Sequence, residues 1–312
     1  MMAKHTEYNF EKEIVKQMVD SGEWREGSDN KYDVNRCLYP DALHEFIRAT
    51  QFEEWEKLKS ARGDQAASSL EMQVSQEITQ RGTLDVLRND LELFGCRFRL
   101  AYFPPSSSRN PDLVAKFKAN VLTVVRQVHY SVRNRNSIDL VLFVNGIPII
   151  TSELKNPLTG QDFLDAVRQY RVDRSPKGEP FLQFGRCLAH FAVDPNVVQV
   201  STKLEGPDTF FIPFNRGYDG GAGNPPVSVL DSGYSTQYLW RDTWSRHTLL
   251  DIIQHFLMHE KAKGRRKLGR MLGKLIFPRW HQHRSVDQLV AQAASDGAGH
   301  KYLVQHSAGS GK

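Results

Sequence analysis

Cysteine is scarce in this chain, with only Cys37, Cys96 and Cys187 among 312 residues. An odd, widely spaced set without a CxxC supports neither a disulfide framework nor a zinc ribbon, and it fits a reducing, cytoplasmic setting. Long apolar runs are missing too. No stretch approaches the roughly 18 apolar residues of a membrane span, and the N-terminal "MMAKHTEYNFEKEI" lacks the apolar centre of a signal peptide, so a soluble protein with no membrane partner is expected. No internal repeat is evident, which argues against a solenoid. Charge of one sign is only slightly in excess: 41 Lys and Arg against 36 Asp and Glu give a formal +5, weak support for a phosphate-bearing partner. Apolar content is ample at 40%, enough to core one large domain or two ordinary ones.

From "YNFEKEIVKQMVDSG" through "DALHEFIRATQFEEWEKLKS" apolar residues recur every three or four positions, with Gly22 placed to close the first run. Residues 1–80 therefore read as a helical N-terminal layer. After "TLDVLRNDLELFG" the pattern changes: "CRFRLAYF", "SIDLVLFV", "IPIITSEL", "LAHFAVD", "VVQVSTKL" and "DTFFIPF" are short, aromatic and β-branched, as strands are. "QDFLDAVRQYRVDR" reads as a helix among them. The expectation for residues 81–215 is an α/β core, a mixed central sheet flanked by helices. Residues 216–240, rich in Gly, Pro, Asn and Ser, read as a connecting loop. Beyond them come an amphipathic "TLLDIIQHFLMHE", a basic interval "KAKGRRKLGRMLGKLIFPRW", a helix-like "SVDQLVAQAAS", a strand-like "KYLVQH" and then "SAGSGK".

"SIDLVLFVNGIPIITSELKN" carries the first candidate site. Asn145-Gly146 between two β-rich runs is a hairpin signal. A strict two-residue loop would set Asp139 opposite Ser152 and turn Glu153 to the other side of the sheet. A three-residue loop, Asn145 to Ile147, would set Asp139 opposite Glu153 and put Lys155 on the same face, so a loop other than a strict two-residue turn is expected. Two carboxylates on adjacent strands suit Mg²⁺, which in phosphodiester hydrolysis polarises the phosphoryl group and activates water. Lys155 would orient that water or neutralise developing charge. A structural ion-pair network is the competing reading of the same residues.

The second candidate is the terminal "YLVQHSAGSGK", where Gly309, Ser310, Gly311 and Lys312 follow an apolar run. Glycines free backbone amides to surround phosphate oxygens, and the lysine reaches the terminal phosphates. The GxxxxGK[ST] form is not met, since His306 stands at its first glycine, but the shorter GxGK form is. A flexible Gly/Ser tail is the alternative.

"RQVHYS", "SIDLVLFVNGIPIITSELKNPLTGQ", "FGRCLAHFAVD", "FFIPFNRGYDGGAGNPP", "PRWHQHRSV" and "QHSAGSGK", in this order, resemble the restriction (R) subunit of type I restriction-modification enzymes, from Phe10 onward. The resemblance implies a PD-(D/E)xK nuclease domain joined to the start, over residues 241–312, of a helicase-like, ATP-driven translocase. It implies a type I site-specific deoxyribonuclease using Mg²⁺ and, in the full protein, ATP, with double-stranded DNA and the methylation and specificity subunits as partners. It matches Asp139 and Glu153 to the metal-binding acids, Lys155 to the catalytic lysine, and Glu11 to a helix-borne acid. The family's QxxxY element is represented only by the adjacent Gln169 and Tyr170. Gln282 matches an adenine contact, and Gly309, Gly311 and Lys312 the phosphate loop. Full restriction subunits continue further, so the chain is expected to be a fragment that does not hydrolyse ATP by itself.

His255 and His259 would lie one turn apart on a continuous helix, but the order is not HExxH and no third zinc ligand is apparent. They read as surface or packing residues, and His281 and His283 as polar contacts. The rival to a nuclease is a non-catalytic DNA-binding or assembly module in which Asp139, Glu153 and Lys155 form a structural network.

Overall fold

The computed structural model describes residues 2–230, 233–261 and 273–306. Its centre is a seven-stranded mixed sheet in the order β1 (Trp24–Gly27), β4 (Leu122–His129), β5 (Ser137–Val144), β6 (Ile147–Leu154), β7 (Ala189–Val193), β8 (Val198–Ser201) and β9 (Ile212–Pro213). β4, β5 and β6 run antiparallel in succession, as do β7, β8 and β9, while β1–β4 and β6–β7 pair in parallel. A parallel pair needs a crossover, and α7 (Phe163–Val172) supplies it between β6 and β7. Asp162 caps α7, accepting from Leu164 N–H at 2.7 Å. A separate hairpin, β2 (Leu91–Leu93) with β3 (Cys96–Phe98), packs near α3 (Phe52–Arg62) and α4 (Ala66–Arg81).

The first eighty residues are helical in α1 (Met2–Asp20), α2 (Pro40–Thr50), α3 and α4, and Gly22 stands just past α1 at φ +75°, as its position suggested. They are not only helical, however. "WREG" forms β1, an edge of the central sheet that its polar composition does not announce. α5 (Thr83–Arg88) and α6 (Pro111–Lys118) complete the connection to β4.

The turn between β5 and β6 corrects the expected three-residue loop. Val144 pairs with Ile147, so the turn has two residues, and Asn145 (φ +50°) and Gly146 (φ +79°) both adopt the left-handed conformation that such a turn requires. The register shifts farther along: Leu142 pairs with Ile150 and Phe143 with Pro148, which leaves Ile149 as the extra residue of a β-bulge. Its carbonyl accepts from Leu188 N–H at 2.8 Å. The bulge shifts every later pair by one. Leu140 then meets Ser152, and Asp139 stands opposite Glu153.

The turn is fixed from several sides. Asn145 is fully buried, its side chain accepting from Val121 N–H and donating to Leu100 O and Asn120 Oδ1, while Tyr39 N–H donates to Gly146 O. A Cβ on Gly146 would lie 2.4 Å from Tyr39 O and 2.9 Å from Leu43 N, both backbone atoms. Gly146→Ala is accordingly expected to cost roughly 2 kcal/mol or more, measured as a lowered urea midpoint.

Residues beyond the Gly/Pro-rich loop share the same core. Trp244 and Phe277 pack on Phe191 of β7, and Trp24 Nε1–H donates to Trp244 O at 2.8 Å. The expected amphipathic helix is short: α8 (Arg246–Asp251) passes into a π-helical turn, Ile252–Phe256, and the chain then pairs β10 (Met258–Lys261) with β11 (Gly273–Ile276). His259 is therefore on a strand and not one helical turn from His255. The chain continues into α9 (Trp280–Asp296). "KYLVQH" is not a strand. Residues 301–306 carry no regular structure and Leu303 is 91% exposed, because β-prone composition makes a strand only where another strand offers a ladder. Among the described residues no helix is long and apolar enough to cross a membrane.

Candidate functional site

β4, β5 and β6 present Gln127, Asp139 and Glu153 side by side on one face. Lys155 shares that face, because Lys155 N–H continues the β6–β7 ladder to Val193 O and strand side chains alternate. Glu11 arrives from α1. Its carboxylate accepts from Gln127 Nε2 at 2.9 Å and pairs with Arg126. The same Gln127 amide donates to Asp139 Oδ1 at 3.1 Å, so one side chain joins the helix-borne acid to the strand-borne one. Gln127 holds φ at +49°, a conformation that costs a non-glycine residue energy and that tends to persist at functional positions.

Glu153 is the most enclosed member, with 0% exposure. Arg174, just past α7, donates from Nε to Glu153 Oε1 at 2.6 Å and from Nη2 to Ser137 O at 2.7 Å. Glu153 Oε2 is buried with no hydrogen-bond partner. Burial, and then the charge of Asp139, push the Glu153 carboxyl well above the ordinary range, against the opposing pull of Arg174. Burial also raises Glu11, against its bonds from Gln127 and Arg126. For Lys155 burial works toward a lower value, yet Asp139, Glu7 and Glu153 together hold it above the usual one. Its Nζ lies 3.0 Å from Glu7 Oε1. Asp139 is half-buried, and its Oδ2 accepts from Leu154 N–H at 2.8 Å.

Four carboxylates, Glu7, Glu11, Asp139 and Glu153, thus face three cations, Arg126, Lys155 and Arg174. The buried, partnerless Oε2 beside the Asp139 carboxyl is what a hard divalent ion would satisfy, so the residues present fit Mg²⁺. Asp139 and Glu153 would hold it.

Of the other sequence candidates, Tyr170 borders this face through Thr151, which stands two residues before Glu153 on β6, and the other described ones lie apart from the acids. Tyr170 is fully buried and its hydroxyl shares a 2.8 Å hydrogen bond with Thr151, which in turn contacts His190 Nδ1 at 2.7 Å. Gln169, one position earlier on α7, is half-buried, and its carbonyl accepts from Asp173 and Arg174. Gln282 sits in the first turn of α9, where its Oε1 accepts from Arg279 N–H at 2.9 Å. Gly309, Ser310, Gly311 and Lys312 lie outside the described residues, as does most of the basic interval. Sequence reasoning missed Arg174, Arg126, Gln127 and Glu7. Nothing local signals them, since each reads as a surface residue until the fold brings an acid or a lysine beside it.

His190 provides a titration test of this core. It is fully buried, and burial alone lowers its pKa from 6.5 to about 3. Between those values the unfolded chain binds a proton that the native state refuses. His190 therefore costs nothing above pH 6.5 and destabilises the fold progressively as pH falls toward 3, by up to about 1.4 kcal/mol per unit. His190→Gln is expected to flatten the fall of the urea midpoint between pH 6.5 and 4. An undiminished slope would place the proton uptake on other groups.

No curated protein matches the chain. Residues 108–209, the segment that holds Gln127, Asp139, Glu153, Lys155 and Arg174, match the model of the type I restriction enzyme R protein N terminus.

Proposed function

We propose that the chain carries the Mg²⁺-dependent DNA endonuclease unit of a type I restriction enzyme R protein, in the manner of a PD-(D/E)xK nuclease. The observation that carries this reading is the bulged hairpin: it puts Asp139 opposite Glu153 and Lys155 two residues on, with Glu153 Oε2 left without a partner. Residues 1–80 and 81–215 would make the nuclease together with the later residues that pack on its sheet, Trp244 and Phe277 among them, so a helicase-like ATPase segment would begin only beyond Phe277.

When bound, Mg²⁺ would polarise the phosphoryl group and stabilise charge on the leaving oxygen. The protein's own groups do the rest. Asp139 and Glu153 would fix the ion's position, and because burial and the Asp139 charge work against the ionised Glu153, binding should tighten as pH rises. Lys155, kept cationic by its neighbours, stands where it can hold the attacking water or neutralise the transition state. Gln127 and Arg174 set the carboxylates in place. Double-stranded DNA and the methylation and specificity subunits are the partners of this reading, ATP belongs to the full protein through Gln282 and Gly309–Lys312, and the setting is cytoplasmic.

One observation favours the rival, a non-catalytic DNA-binding or assembly module. Glu153 is shut in with Arg174, and both Asp139 oxygens already accept hydrogen bonds. Lys155→Met keeps the aliphatic stem and removes the charge. In the assembled enzyme with DNA, ATP and Mg²⁺, cleavage is expected to disappear while DNA binding is retained. Cleavage at the parental rate would favour the module.

A further inference from the structure

A second cluster lies away from these acids, where α8 meets α9. Asp251 ends α8, and His283 and Asp287 stand one turn apart on α9, a spacing that brings two side chains onto one helix face. One oxygen or nitrogen from each of Asp251, His283 and Asp287 lies within 4.8 Å of the others, and among the described residues this is the one group of three or more His, Cys, Asp or Glu side chains that converge so. We propose that Asp251, His283 and Asp287 form a binding site for a borderline divalent metal ion such as Zn²⁺, tying α9 to α8.

The two carboxylates flank the His283 ring, one at each nitrogen, so an ion on either nitrogen needs one of them to turn. His283 Nε2 is 3.4 Å from Asp251 Oδ2, and His283 Nδ1 is 3.6 Å from Asp287 Oδ2. Both exceed the 2.7–3.2 Å of a good hydrogen bond. They are close to the roughly 3.4 Å that separates two ligands each about 2.1 Å from a tetrahedral ion. Only one imidazole nitrogen can hold the ion, and Asp287, its side chain 42% exposed, has room to turn an oxygen toward it.

The surroundings are those of a positioned ligand set. Asp251's other oxygen, Oδ1, is held at 2.8 Å by His255 Nδ1, and the His283 ring packs on Phe256 with centroids 4.6 Å apart. Asp251, His255 and Asp287 border a cavity of about 960 Å³, so the two carboxylates of the site are open to solvent. Gln254 borders the same cavity, and its Oε1 is buried without a partner, a further oxygen donor nearby. One imidazole and two carboxylates are neither the soft thiolates that copper(I) prefers nor the all-oxygen shell of Mg²⁺, and their charge neutralises a divalent ion.

The test is a titration of the chain, freed of metal by chelator, with Co²⁺ and Zn²⁺. One equivalent of Co²⁺ should produce the visible absorption of a low-coordinate site, Zn²⁺ should displace it, and Zn²⁺ should raise the melting temperature. Asp287→Asn, on an exposed helical position that cannot threaten folding, and His283→Ala should each weaken Co²⁺ binding at least tenfold, while Asp20→Asn, at the exposed end of α1, leaves it unchanged. Absence of the Co²⁺ band, or binding undiminished in both α9 variants, would overturn the proposal and leave a cluster of polar contacts between α8 and α9.

Discussion

Asp139→Asn in the assembled enzyme is expected to lower DNA cleavage by about a thousandfold or more, equivalent to roughly 4 kcal/mol of lost transition-state stabilisation. Asparagine keeps an oxygen to accept the Leu154 N–H and nearly the same shape; it loses the bond from the Gln127 amide, which still donates to Glu11, so the fold should survive. Loss of the charge also removes the repulsion that Asp139 exerts on Glu153 and Glu11. The melting temperature should therefore stay level or rise in the metal-free protein. That pairing of outcomes separates function from structure. A variant that still cuts but melts much earlier would show Asp139 to be a structural residue.

Arg174→Met should be the most damaging change to stability, about 3–5 kcal/mol at neutral pH, read from urea unfolding. Arg174 is 6% exposed and Glu153 fully buried, so removing the guanidinium strands a carboxylate in the core. The same reasoning revises what clustered like charges suggest for Glu153→Ala: it would not be neutral, because Arg174 would then be the unpaired charge. The pH dependence has a definite sign. Glu153 has its folded-state pKa raised above 4.5, so its cost grows as pH rises from 4.5 through that raised value and disappears below 4.5, where folded and unfolded chains are both protonated. The Arg174→Met deficit should shrink accordingly on acidification, and Glu153→Gln added to Arg174→Met should recover most of it at pH 7. A deficit independent of pH and unrescued would mean that Arg174 acts only through packing and its bond to Ser137 O.

How far the sequence could be read depended on how locally each feature is determined. β5 and β6 were legible because β-branched runs flank an Asn-Gly turn, but the shared face of Asp139 and Glu153 was expected from a three-residue loop that the hairpin does not have. The device that achieves the shared face was not legible. The bulge at Ile149 depends on Leu188, almost forty residues later, capturing its carbonyl. β1 stayed hidden because an edge strand of four residues, "WREG", carries no alternation. "KYLVQH" failed in the opposite direction, with strand composition and no neighbouring ladder. Arg174 and Gln127 were illegible since an arginine after a helix and a glutamine on a strand normally face water, and only the fold sets them against Glu153, Glu11 and Asp139.

Iron(II)-directed cleavage of the polypeptide would locate the metal most directly. Fe²⁺ replacing Mg²⁺, with ascorbate and peroxide, generates oxidants that cut the backbone beside the bound ion. Cuts next to Asp139 and Glu153, suppressed by excess Mg²⁺ and absent in Asp139→Asn, are the expected result. Cuts confined to other positions, or unchanged in Asp139→Asn, would contradict a metal-dependent nuclease centre on β5 and β6.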